Sequence, residues 1–315
     1  MASILCTGGC GYIGSVLVPK LLAAGHAVRV IDACWFGNHL PDHPKLEVIK
    51  GDIREMWPVE GMDAVIHLAA IANDPCGELD ARLTWEVNVL ATQRLAEAAV
   101  KEKVKKFIYA SSGSVYGIKD NVPVDEDASL EPVSDYNKTK MVAERVLKSY
   151  DLPLCILRPA TVCGMSPRMR IDTVVNMLSV QALRHGKITA HCGAHGATLM
   201  RPNIHIEDMA RLYVEVLDAP WAFGTYNACF ENLSIGEIAK TIEKRIGCDV
   251  EFSEVPDKRS YCVDSSKLLT AGFRPEWNVL GAVLQIKTAW KDGWRPGPES
   301  VNLAWMRSQG LVKAF

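Results

Sequence analysis

ILCTGGCGYIG, residues 4–14, carries an apolar run into three glycines, Gly8, Gly11 and Gly14, at G-x-x-G-x-x-G spacing. The residues before the glycines read as a strand, and VLVPKLLAAG (16–25) after them has helical periodicity. A strand that turns sharply into a helix needs residues without side chains at the turn. The helix start then offers free N–H groups that favour negative charge. A pyrophosphate fits that demand, but a glycine pattern by itself is weak evidence and its surroundings have to support it.

They do. The next apolar run, AVRVID (27–32), ends on Asp32, 18 residues past Gly14, where a carboxylate can grip a ribose diol. That carboxylate repels a 2′-phosphate, and no Lys or Arg lies between Ala33 and Pro44 to welcome one, so NAD is expected over NADP. Asp52 and Ile53, in GDI after the run LEVIKG, add an adenine contact.

Further out, the first half alternates short β-branched runs (SILCTG, AVRVID, LEVIKG, AVIHLAA, KFIYAS, LCILRP) with the helical patterns VLVPKLLAAG, LTWEVNVLATQRLAEAAVKE and YNKTKMVAERVLKSY. Such alternation predicts βαβ units and a mainly parallel, doubly wound α/β sheet with helices on both faces. After about Pro159 turn residues become frequent, in SPRMR, HCGAHGATLMRPN, EVPDKRS and FRPEWN. This predicts a smaller second domain, made of residues 166–202 and 232–315. Residues 1–165, with about 203–231 returning, form the first. WRPGPESVNLAWMRSQGLVKAF at the end reads as a short amphipathic helix of no legible role.

The net charge of −2 excludes an electrostatic case for nucleic acid or a membrane surface, and no apolar run is long enough to span a bilayer. Ten cysteines occur singly without a C-x-x-C pair, which points to free thiols, a reducing compartment and a cytoplasmic protein. His191, Cys192 and His195, with His185 upstream, match no zinc spacing, so no metal is expected.

SDYNKTKMVAE (134–144) supplies the chemistry. Tyr136 and Lys140, four residues apart, share one face of a helix. Taking a hydride from a carbinol carbon requires a base for the hydroxyl proton. A phenol, whose ordinary pKa is about 10, becomes one when cations favour its phenolate. Upstream, KFIYASSGSVYG ends a strand on the hydroxyls of Ser111, Ser112 and Ser114, one of which can hydrogen-bond the reacting oxygen.

TGGCGYIG, Asp32, GDI, HLAA, NVLAT, SSGSVYG, YNKTK and RPATVCG occur in the order found in the extended short-chain dehydrogenase/reductase family, and the chain resembles its nucleotide-sugar epimerase and dehydratase branch. The resemblance implies a Rossmann-type domain and a smaller C-terminal substrate-binding domain. It implies Tyr136 as base, Lys140 as its partner and Ser112 as the hydroxyl sharing the substrate oxygen. It sets Tyr12, Ile13, Leu68, Ala69, Ala70, Pro159 and a supporting Asn88 around NAD, beside the residues above. Helices around 79–102 and 135–150 would form a four-helix homodimer interface.

Relatives that dehydrate or decarboxylate a sugar carry an acidic residue at position 114, and 3,5-epimerases a cysteine. Gly113 and Ser114 can serve as neither carboxylate nor thiolate. What remains is oxidation at a sugar hydroxyl, C4 first, with epimerisation ahead of release of the keto sugar. A non-catalytic NAD sensor is the distant alternative. On the substrate side the resemblance assigns Ser112, Ser114, Thr161, Asn176, Arg201 and Arg259 to a nucleotide-diphosphate sugar. Thr161 and Cys163 depart from the family's asparagine and tyrosine; Cys163 reads as an inert buried thiol.

Overall fold

Apolar runs covered on both faces become parallel strands. β1 (Ser3–Thr7), β2 (Ala27–Asp32), β3 (Leu46–Lys50), β4 (Ala64–His67), β5 (Lys106–Ala110), β7 (Leu154–Pro159) and β11 (Gly224–Ala228) form one sheet in the order β11-β7-β5-β4-β1-β2-β3. All its pairings are parallel. The computed structural model describes residues 1–119, 122–196, 198–255 and 260–311.

Strand periodicity sorts the core. Ile4 and Cys6 of β1 face a cluster with Leu17 and Leu21 of the Gly14–Ala23 helix and Met209, Leu212 and Tyr213 of the Ile206–Asp218 helix. Leu5 faces the opposite cluster, with Leu95 and Ala99 of the Ala91–Lys101 helix and Ala143 and Leu147 of the Asp135–Lys148 helix. The six apolar runs of the first half all lie in this sheet. The chain steps outward from β1 through β2 to β3, then crosses to β4 on the other side of β1. The connections diverge there, at the carboxyl ends of β1 and β4, and leave a crevice.

Residues 79–102 depart from a single regular helix. Ala81–Trp85 and Ala91–Lys101 are α-helical, and Glu86–Leu90 between them is a π-helical turn. Asn88 explains it. Its amide oxygen accepts from Ile71 N (2.8 Å), and its nitrogen donates to Ile71 O (3.1 Å) and Thr139 Oγ1 (3.0 Å), drawing the helix toward the loop after β4.

The remaining strands are short: β6 (Pro123–Val124) pairs β14 (Cys262–Val263), β9 (Lys187–Cys192) pairs β13 (Asp249–Glu254), and β10 (Met200–His205) lies between β8 (Thr161–Cys163) and β12 (Glu231–Ser234). Val175, Leu178, Ile188, Ile235, Ile238, Val279 and Val283 make a third core beside them. The final segment is helical over Asn302–Ser308 and packs back on the body, Trp305 Nε1 donating to Trp35 O at 2.7 Å. Among the described residues no helix is long and apolar enough to cross a membrane.

Candidate active site

The crevice opens into a cleft of about 700 Å³. Its floor is the turn after β1. Gly8 holds φ +72°, and a Cβ there would lie 2.6 Å from Ala69 N, so β1 and β4 approach this closely only because the residue is glycine. A Cβ on Gly14 would lie 2.4 Å from Gly9 O, inside the turn that starts the helix. Gly8, Gly11, Tyr12, Ile13, Gly14, Asp32, Asp52, Ile53, Leu68, Ala69, Ala70 and Pro159 all line the cleft, as do Ser112, Ser114, Tyr136, Lys140, Thr161 and Arg201.

At the glycine end, Asp32 is fixed by two backbone donors, Cys10 N to Oδ2 (3.0 Å) and Cys34 N to Oδ1 (2.7 Å). Burial raises its pKa, and those two N–H groups and Arg168 oppose the rise. Asp52 is held by Arg54, whose Nη2 reaches Oδ2 at 2.8 Å and whose Nη1 bonds Glu86 at 3.1 Å. Burial acts against the Asp52 carboxylate, but Arg54 outweighs it and the pKa falls below the ordinary value.

Deeper in the cleft, the Asp135–Lys148 helix brings in Tyr136 and Lys140. Ser134 caps its first turn, accepting from Asn137 N. Lys140 is buried, donates to Ala110 O at 2.7 Å and stands 4.9 Å over the Tyr109 ring. Burial pulls its pKa down to about 7, and Glu144, one further turn along, resists. Glu144 is itself locked by Arg158 (2.7 Å) and by the hydroxyl of Ser111 (2.5 Å), so Ser111 braces the lysine's turn and its hydroxyl is turned away from reaction.

Burial pushes Tyr136 up to about 12, against a hydrogen bond with Ser112 and the charge of Arg170. Lys140 is not among the groups that lower it, so the phenol stays protonated in the free chain. Ser112 Oγ lies 2.7 Å from Ser114 Oγ, which donates to Asn137 Oδ1 at 2.5 Å. Ser112 and Ser114 thus form a bonded hydroxyl pair on the same cleft wall as Tyr136.

Two expected residues stand outside the cleft wall. Asn88 is not in the cleft wall and supports the loop at Ile71 instead. Asn176 is solvent-inaccessible and outside the wall. Its Oδ1 accepts from Gly164 N (3.0 Å), and its Nδ2 donates to Tyr12 OH (3.0 Å) and Arg170 O (2.8 Å), which occupies both side-chain N–H groups. Arg259 lies outside the described residues.

The structure also reveals two arginines that sequence reading passed over. Arg168 is only 3% exposed yet lines the cleft. Its backbone N donates to Ser15 Oγ (3.3 Å) at the start of the first helix. Its Nη2 donates to Asn302 Oδ1 (2.6 Å), its guanidinium covers the Phe36 ring at 4.0 Å, and its Nε has no hydrogen-bond partner among the described residues. A buried guanidinium with an unmade bond beside a helix N-terminus suits a phosphate. Arg170 pairs with Asp172 at 2.5 Å beside Tyr136. Two arginines two residues apart in SPRMR were the signal, masked by the segment's turn-like composition. The terminal segment contributes too: Val301, Asn302 and Leu303 line the cleft.

The glycine turn, the fixed Asp32 and the open Arg168 Nε fit a dinucleotide. The profile of the NAD dependent epimerase/dehydratase family matches residues 4–229. The chain belongs to that family. A UDP-glucose 4-epimerase of Lactobacillus helveticus is 29% identical over 91% of this chain and 96% of its own length. The UDP-glucuronic acid 4-epimerase of Bacillus cereus, solved with UDP-glucuronic acid and NAD, superposes with a TM-score of 0.79 at 29% identity, over 91% of this chain and 99% of that one. MoeE5, solved with the same two ligands, gives 0.81 at 27% identity, over 92% and 99%. The family's cofactor is NAD, in keeping with the carboxylate at Asp32.

Proposed function

We propose that the chain is a nucleotide-sugar 4-epimerase that oxidises C4 with bound NAD and returns the hydride to the other face. The observation that carries this reading is the bonded Ser112–Ser114 hydroxyl pair lining, with Tyr136 and Lys140, a cleft continuous with the glycine turn. Bound NAD supplies a reversible hydride acceptor and a positive nicotinamide ring. Tyr136, once deprotonated, takes the C4 hydroxyl proton as the C–H bond gives up its hydride, and Ser112 holds the oxygen as it becomes a carbonyl. The reverse transfer, after the keto sugar turns over, gives the proton back. Gly113 and Ser114 offer no second acid for loss of water, which supports epimerisation over dehydration.

Asp32 would hold the adenosine ribose, Asp52 and Ile53 the adenine side, and Arg168 the pyrophosphate. Thr161 and Arg201 would face the nucleotide sugar, together with Arg259. The substrate side would be carried by residues 166–202 and 232–315, the cofactor side by 1–165 and about 203–231. We further read the protein as a cytoplasmic homodimer joined through the helices of 79–102 and 135–150. In support, Leu90 (52% exposed) and Val100 (37%) leave apolar surface on the first of them.

The test supplies NAD and a panel of UDP-, GDP- and dTDP-sugars, follows absorbance at 340 nm, and separates the products. A flat trace with a C4 epimer is expected. Steady NADH growth with a keto sugar would instead make the enzyme a dehydrogenase.

A further inference from the structure

The glycine turn and the end of β2 bring together a group that the sugar chemistry does not use. Cys10 Sγ lies 3.9 Å from Cys34 Sγ, and both flank Asp32; the ligand atoms of the three residues all fall within 4.8 Å of one another. Two thiolates on one tetrahedral zinc at about 2.3 Å stand about 3.8 Å apart, so the sulfurs already span a tetrahedral edge. Each Asp32 oxygen accepts one backbone N–H and keeps a lone pair. Asn38 Oδ1, 3.5 Å from Cys10 Sγ, or a water can fill the fourth position.

We propose that Cys10, Asp32 and Cys34 bind a zinc(II) ion that competes with NAD for the Asp32 carboxylate. The spacing of the two sulfurs beside a carboxylate favours a cation. Entry is open, since Cys10 and Asp32 line the cleft and Asn38 is exposed. A disulfide fits less well, because the sulfurs, 3.9 Å apart, would have to close to about 2.0 Å. Binding the metal releases the thiol protons to solvent and is therefore favoured as pH rises.

The competition rests on assigning Asp32 to the cofactor ribose; the metal site does not. The test uses full-length, reduced protein freed of nucleotide, titrated with cobalt(II) as a spectroscopic stand-in. One equivalent should produce a thiolate-to-cobalt charge-transfer band that zinc(II) abolishes. Cys10→Ser or Cys34→Ser should halve the band, the double variant should remove it, and Cys192→Ser should leave it intact. No band in the wild-type protein at one equivalent, or a band surviving the double substitution, would overturn the site. Saturating NAD should weaken cobalt(II) binding at least tenfold, and unchanged metal affinity would overturn the competition. Calorimetry of NAD with metal-free protein separates the two ideas: no heat of binding there would sink the cofactor reading while the cobalt band still reports on the metal.

Discussion

Tyr136 and Lys140 were legible in the sequence because a helix makes a four-residue spacing into a shared face. Their electrostatics were not. The expected depression of the tyrosine by the lysine is missing from the free chain, where burial dominates both groups. Removing the phenol should be severe: Tyr136→Phe is expected to lower kcat by about 10²- to 10⁴-fold, the range for general acid–base groups, with the fold intact by circular dichroism. The lysine gives a pH signature. Folded Lys140 titrates near 7 against an ordinary 10.5. Below the lower value both states hold the proton and burial costs stability in full; between the two the unfolded chain binds more protons, so stability rises with pH. Lys140→Met never bears that cost. Its stability relative to wild type should therefore be most favourable at about pH 6.5 and decline toward about pH 9.5, measured by urea unfolding at both. A pH-independent difference would mean an unshifted lysine. Arg168 was invisible in a turn-rich segment, and the motif match at Asn176 does not show which partners claim its amide. Arg168→Gln should raise the NAD dissociation constant by about 10- to 100-fold, as expected for a charge-assisted hydrogen bond, and calorimetry would detect it.

Among the elements, the strand-turn-helix at Gly8–Gly14 and the β1–β5 runs could be read from periodicity and turn residues. The π-helical turn could not, because it is five residues long and too short to show a period of its own. Its cause is a single side chain reaching across to Ile71. Asn88→Ala is expected to destabilise the fold by about 1–3 kcal/mol, since it orphans a buried Ile71 N–H, and the shift in urea midpoint measures it. The terminal helix was expected, but its use was not: nothing in its composition indicates that Asn302 meets Arg168 or that Leu303 walls the cleft.

For the molecule as a whole, the strand order came from the structure, while a parallel sheet with helices on both faces followed from alternating strands and helices. The small sheets did not, because strands of two or three residues such as β6, β8 and β14 are too short to show a period. If the exposed apolar surface at Leu90 joins two copies, light scattering will give twice the chain mass of 34.6 kDa, and Leu90→Glu will halve it. A monomeric wild type would remove the dimer from the reading.

Tyr12 links these scales. It leaves the glycine turn, donates to Gly164 O at 2.7 Å and receives Asn176 Nδ2, which in turn holds Arg170 O. The dinucleotide floor and the segment after β8 are thus cast as one piece. For anyone redesigning sugar preference, the two halves are not separable modules. Substitutions between Gly164 and Asn176 will alter how the chain retains its dinucleotide, and variants selected for a new sugar will need compensating changes near residue 12.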